Sequence, residues 1–363
     1  MKYRLTFLKS SIIICSIIIF YSCSKNEIVE LKNEKFTKLT GVISPFLEYT
    51  GRGKIDDGQN STIYYEFNYD EKNRLKSIRY FKNSSANNNS YFGAHEVRYE
   101  YLDRTITRTY YNVEGNQSPM WRHYYLGENI FKEQFTLTEN GDKESLILMD
   151  SLDNRVSTGL GSYKFLCKRT DSNLFIQHQF AADSTRNYLT HYFPFKISKI
   201  TTDGAGRLYS ITNLDSLGNE YEEENIGYSK VVFDFDEFGN ELGWKFVNIY
   251  DSLADRKPFL NMDYGFAKVQ YKFNWIDREL GLYSSFDELY FDSDNNPTNT
   301  NLGIHKVHYE INNNDDLTMM AYFDKDLKPA DHPNSHFHKV LIEYDSSMQR
   351  SKATRIKSNG EVL

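Results

Sequence analysis

The chain of 363 residues holds only three cysteines, seven prolines and three tryptophans. Cys15, Cys23 and Cys167 are too few for a disulfide scaffold. The most apolar run, residues 12–20, falls short of the ~20 residues that a spanning helix needs. Catalytic spellings are missing too: G-x-S-x-G, H-E-x-x-H and C-x-x-C do not occur, which removes common signatures of serine hydrolases, zinc proteases and dithiol oxidoreductases. Gly51, Gly53 and Lys54 lack the spacing of a phosphate loop, and Gly204 and Gly206 read as a turn. A basic excess is absent as well, since the net charge is −7. That argues against nucleic acid and against electrostatic adhesion to anionic lipid.

The N-terminus reads as a targeting segment. Lys2, Arg4 and Lys9 precede the short apolar run, which ends at Phe20-Tyr21-Ser22-Cys23. Charged start, short apolar stretch and small residues are the marks of a signal peptide. The ending resembles the lipobox of bacterial lipoproteins. The resemblance implies that residues 1–22 are removed, that Cys23 is lipid-modified and that the protein is anchored to a bilayer in the cell envelope. The expected location is the outer membrane, facing the periplasm or the cell surface. Losing Lys2, Arg4 and Lys9 would move the net charge from −7 to −10. Residues 23–39 mix Lys and Glu and read as a charged tether. With Cys15 and Cys23 both committed, Cys167 would have no intramolecular partner, and its strand-like surroundings read as core.

What the sequence does contain is repetition. Residues 227–236 read G-Y-S-K-V-V-F-D-F-D, residues 265–274 G-F-A-K-V-Q-Y-K-F-N, and residues 303–312 G-I-H-K-V-H-Y-E-I-N. Lys230, Lys268 and Lys306 are spaced by 38 residues, and Lys339 follows after 33. Glu96 takes the lysine place in an earlier copy. Val231, Phe233 and Phe235 alternate with polar residues. So do Val269, Tyr271 and Phe273; Val307, Tyr309 and Ile311; Val340, Ile342 and Tyr344; and Val97, Tyr99 and Tyr101. Alternation of period two places each set on one face of a half-buried strand. Turns recur in one spelling: Asp70, Asp150, Asp215 and Asp236 each stand three places before Asn, Asp or Gly. Asp251, Asp292, Asp324 and Asp345 open similar stretches. An Asp at the first position can accept from the backbone ahead of it, and Asn or Gly tolerates the left-handed conformation.

The expected fold is therefore all-β: an extended antiparallel meander, or a solenoid-like sheet, of tandem hairpin repeats with a 38-residue period. One β-repeat domain should fill residues 40–363, clearest over 227–350, while 105–226 keeps the turns and loses the period. Residues 65–75, Y-E-F-N-Y-D-E-K-N-R-L, resemble the YD repeat of Rhs-type proteins, partly echoed at Phe235-Asp236-Glu237-Phe238-Gly239-Asn240. That resemblance implies a hairpin meander.

Two groups of side chains bear on function. His332, His336 and His338, with His305 and His308 one repeat upstream, are weak candidates for a metal site. His336 and His338 are two apart and would share one face of a strand. His305 and His338 are separated by a return strand, roughly 10 Å across the sheet, too far to share a zinc held at about 2 Å per bond. The expectation is no tight metal site, no cofactor and no catalytic residue. Trp121, Trp244 and Trp275 fall outside the inward series and could stack on a sugar or a protein partner. The favoured reading is a non-enzymatic envelope lipoprotein, a binding or scaffold module whose partner is an envelope protein or glycan. The alternatives are a metal-dependent envelope enzyme using the region His332 to His338, or a toxin-immunity lipoprotein.

Overall fold

Inward Val, Tyr and Phe at every second position, separated by turns, make strand after strand pair with the one before it. The computed structural model describes residues 31–41, 43–56, 61–120, 127, 129–259, 262–345 and 350–363. Cys23 and the expected signal peptide, Trp121 and residues 346–349, where a turn is expected after Asp345, lie outside the described residues. The strands are β1 (Asn33–Leu39), β2 (Gly51–Ile55), β3 (Ile63–Tyr69), β4 (Leu75–Lys82), β5 (Ser85–Ala86), β6 (Glu96–Leu102), β7 (Thr105–Tyr111) and β8 (Lys132–Leu137). They continue as β9 (Lys143–Met149), β10 (Arg155–Val156), β11 (Lys164–Asp171), β12 (Leu174–Phe180), β13 (Ile197–Thr202), β14 (Leu208–Asn213) and β15 (Lys230–Phe235). The last are β16 (Glu241–Val247), β17 (Lys268–Asp277), β18 (Leu282–Phe291), β19 (Lys306–Ile311), β20 (Leu317–Phe323), β21 (Lys339–Tyr344) and β22 (Arg350–Ile356).

All pairings are antiparallel and the fold is all-β, with no helix among the described residues. β1 lies between β2 and β3, and from β3 onward each long strand pairs with the next. The sheet is open, but it coils. Turns of its C-terminal hairpins reach its first strands: Thr37 donates to the Leu280 carbonyl, Arg52 to Asn240, and Lys82 pairs with Asp316.

The expected period does not hold along the whole chain. First strands of the hairpins begin at Ile63, Glu96, Lys132, Lys164, Ile197, Lys230, Lys268, Lys306 and Lys339, so the steps are 33, 36, 32, 33, 33, 38, 38 and 33. The unit is thus nearer 33, and the two 38-residue steps are enlargements. The first has a long connection between β16 and β17. The second has two ten-residue strands, β17 and β18. The irregular middle hides the pattern because Arg108, Glu133, Gln177 and Gln179 occupy buried positions there.

The turns share one geometry. The Asp70 carboxylate accepts from the N–H of Lys72 and Arg74 at 2.9 and 2.8 Å, and Asp150, Asp215, Asp236, Asp292 and Asp324 do the same two and four places on. Three places on the backbone is left-handed, with φ between 57° at Asn73 and 88° at Gly218. One expected opener is displaced: Asn248 caps its turn, and Asp251 takes the left-handed place with φ 59°. Asn accepts through its side-chain oxygen as Asp does, so either can open the turn.

β1 occupies residues 33–39, inside the stretch expected to be a tether. Its lysines read as solvated, yet Lys38 pairs with Asp315 at 2.5 Å and Lys35 stands 5.1 Å over the Tyr64 ring. After β1 the chain crosses the concave face as a cover. Phe46 packs edge-on against Phe135 and Phe175, and Tyr49 lies tilted against Phe92. A second cover, residues 189–195, brings Phe193 onto Phe233 and Trp244, and Phe195 onto Tyr228.

Candidate functional site

The repeat-register histidines are structural. His95, His305 and His338 each precede a strand, and each Nδ1–H donates to the carbonyl of the tyrosine opposite: Tyr80 at 2.8 Å, Tyr290 at 2.8 Å and Tyr322 at 2.6 Å. Each imidazole also meets a phenylalanine edge-on, Phe81, Phe291 or Phe323. The dipeptides Tyr80-Phe81, Tyr290-Phe291 and Tyr322-Phe323, each closing the strand before its histidine, were a signal for this arrangement in the sequence. His308 instead bonds Asp287 at 2.6 Å, which also pairs with Lys306.

His336 and His338 do not share a strand face. His336 sits in a turn with φ 60°, its N–H bonded to the His332 carbonyl, and His332 packs on the Tyr322 ring at 4.9 Å. Proline at 333 and the tight turn after it break the extended backbone that the two-residue spacing assumed. Among the described residues, no three of His, Cys, Asp or Glu come together as metal ligands. Cys167 is buried in β11, and burial pushes its thiol up to about 12.

The tryptophans part company. Trp244 is core, packed between Tyr192, Phe193, Phe246 and Phe266. Trp275 lines a cleft of about 290 Å³. That cleft follows from strand length. β17 and β18 are ten residues each, while β16 and β19 beside them have seven and six. The overhanging ends carry Phe273, Trp275, Tyr283 and Phe286 on the inward face, beyond any cover. β17 approaches β16 closely at Gly243, where a Cβ would stand 2.2 Å from the Val269 carbonyl oxygen.

The rings form a corner rather than a flat sheet. Phe273 stacks on Trp275 at 4.4 Å and 28°, while Tyr283 stands nearly perpendicular to both Trp275 and Phe286, at 78° and 80°. The polar lining is Arg52 of β2, Asn240, Glu241 and Glu288. Glu288 accepts from the Tyr290 hydroxyl at 2.9 Å and the Tyr309 hydroxyl at 3.2 Å. Burial pushes the Glu241 carboxyl up to about 7 against the pull of Arg52, and burial raises Glu288 as well. Arg52 offsets part of that burial for Glu241, and the Tyr290 and Tyr309 hydroxyls offset part of it for Glu288.

A larger cavity, about 480 Å³, opens beside Phe46, Leu47, Glu48, Lys143 and Arg169. Its charges answer one another. Glu48 holds buried Arg108 at 2.6 Å and also pairs with Lys143, and Arg169 pairs with Asp142 at 3.2 Å. Burial opposes the Glu48 charge, yet Lys143 and Arg108 outweigh it and hold the carboxyl at about 2. Burial lowers the Lys143 amine to about 8. This cluster fastens the first cover to the sheet. The smaller aromatic cleft is the candidate site.

Comparisons with known proteins add little to this geometry. No family model and no curated protein matches the chain. Among solved structures, the chain is similar to one from Bacteroides fragilis described as a 6-phosphogluconolactonase. Identity is 10%, with 90% of this chain and 96% of that chain covered. The TM-score of 0.16 carries no argument about fold or function.

Proposed function

We propose that the protein is a non-enzymatic binding module of the cell envelope, tethered by a lipid on Cys23 and taking its ligand in the aromatic cleft. The observation that carries this reading is the overhang of β17 and β18, which leaves five aromatic side chains, Tyr271, Phe273, Trp275, Tyr283 and Phe286, half-buried around one cavity. Rings in the middle of the sheet, such as Phe135, Phe175, Phe233 and Trp244, are closed in by the covering segments. Pockets for small ligands are concave, with apolar walls and convergent polar groups, and this one sets five rings against Arg52, Asn240, Glu241 and Glu288. Its volume is at the lower end for such sites, which fits one sugar unit or one headgroup of an envelope partner.

Two measurements test the reading. Full-length wild type and Trp275→Ala are screened by thermal shift against a panel of monosaccharides and amines. At least one compound should raise the melting temperature of wild type and not of the variant; an unshifted wild type across the panel would remove the cleft as a binding site. For the anchor, Cys23→Ala should leave the membrane fraction and lose lipid labelling. A variant that fractionates and labels like wild type would show that Cys23 is not the anchor.

A further inference from the structure

Building on the cleft as a binding site, we infer that it selects an organic ammonium group, seated against the ring corner of Trp275, Phe273 and Tyr283 with Glu288 as its counter-charge. Ring faces are negative and attract cations, more strongly where water is excluded. Here the rings meet at angles and leave a concave corner on the cleft: Phe273 and Tyr283 lie 5.0 Å apart at 51°, and Trp275 and Tyr283 5.9 Å apart, edge to face, at 78°. The rim already shows the preference, since the Lys38 ammonium stands 5.4 Å over the Tyr283 ring.

Charge balance points the same way. Two of the three fixed cations near the cleft are paired with carboxylates. Lys38 pairs with Asp315 and Arg278 with Asp236 and Glu237, while Arg52 donates to the neutral Asn240 amide and its charge acts on Glu241, leaving Glu288 as the cleft's unanswered carboxyl. Among the described residues neither Glu241 nor Glu288 has an ion-pair partner. The two oxygens of Glu288 accept only from the neutral hydroxyls of Tyr290 and Tyr309. A carboxylate held this way inside an aromatic wall is complementary to a cation. A neutral sugar would leave that charge unanswered.

Calorimetric titration of the full-length protein in detergent with choline and with its uncharged isostere 3,3-dimethylbutanol decides the matter. The expected result is binding of choline at least ten-fold tighter than the isostere. Glu288→Gln should erase the difference while the melting temperature stays near wild type, and Trp275→Ala should weaken both ligands. Should Glu288→Gln disturb folding, Glu241→Gln with the same pair of ligands gives a second reading, with choline affinity reduced. Equal affinity for choline and the isostere would overturn the ammonium assignment and leave the cleft as a binding site. So would binding of glucose but not choline, lost in Trp275→Ala. Binding of none of the three would overturn both readings.

Discussion

The same repeat is written at both ends of the sheet and buried to different depths. In β15, Val231 is fully buried and Phe233 5% exposed; in β21, Val340 is 5% exposed while Ile342 and Tyr344 are only half-buried. In β22 five of seven residues are exposed. Register, turn and alternation are alike in the two regions. What differs is the cover. Residues 189–195 lie over β15 and β16, and the segment of Phe46 and Tyr49 over the middle of the sheet, whereas on β20 only His332 and Phe337 pack on the Tyr322 ring. A repeat therefore specifies which side chains point inward, and a segment outside the repeat decides how far they are removed from water.

The largest expected effect tests that statement directly. Phe233 and Ile342 hold the same register position. Phe233→Ala opens a cavity under a cover and should cost ~3–5 kcal/mol. Ile342→Ala removes a side chain already half in water and should cost about 1 kcal/mol or less. Urea unfolding with fluorescence detection measures both midpoints. Equal losses would show that the C-terminal face is as well packed as the middle, and the distinction between the regions would fall.

Two carboxyls sharpen the comparison through pH, with opposite signs. Glu48 in the cover is held at about 2, below its ordinary 4.5. Its contribution to stability is present above 4.5 and fades as pH falls towards about 2. Glu241 in the open cleft is raised to about 7 from 4.5. The folded protein keeps that proton while the unfolded chain releases it, so stability falls as pH climbs from 4.5 to about 7, then levels. Glu48→Gln should thus lower the melting temperature at neutral pH and change it little near pH 2. Glu241→Gln should raise it at pH 8 and leave it unchanged at pH 4. Thermal scans across pH 2–8 check both. The same direction for the two variants at neutral pH would contradict the contrast.

Much of this was legible in the residues. The alternation of Val97, Tyr99 and Tyr101 and its later copies placed the inward face, and the Asp-led turns placed the hairpins. The spacing misled, because the lysines that set it mark enlarged units and the ordinary step is hidden where Arg108, Glu133, Gln177 and Gln179 face inward. Buried polar residues break the apolar alternation, and only their partners, such as Glu48 for Arg108, make them tolerable there. The cleft was half-visible: Trp275 stood outside the inward series, but nothing local showed that Arg52, from the second strand of the chain, would close one wall. Coiling of the sheet brings it there through contacts such as Arg52 to Asn240, and contacts of that range have no local spelling. The histidines failed for a simpler reason. Their two-residue spacing assumed extended backbone, and His336 is in a turn.

The smallest expected effect asks whether turn chemistry is indifferent to cover. Leu327, in the turn between the C-terminal strand β20 and the loop leading to β21, holds φ 58° and is 60% exposed. Gly218, at the matching place between β14 and β15, holds φ 88° and would meet nothing within 4 Å if given a Cβ. A left-handed backbone costs a side-chain-bearing residue roughly 1–2 kcal/mol, while glycine adds about 0.5–1 kcal/mol of unfolded-chain entropy. Leu327→Gly should therefore stabilise the protein by about 0.5–1 kcal/mol, since little packing is lost, and Gly218→Leu should destabilise it by a similar amount. Chemical denaturation of the two variants reads both. A lowered midpoint for Leu327→Gly would mean that this leucine packs on the C-terminal hairpins after all, and that the open region holds its turns by contacts the covered region does without.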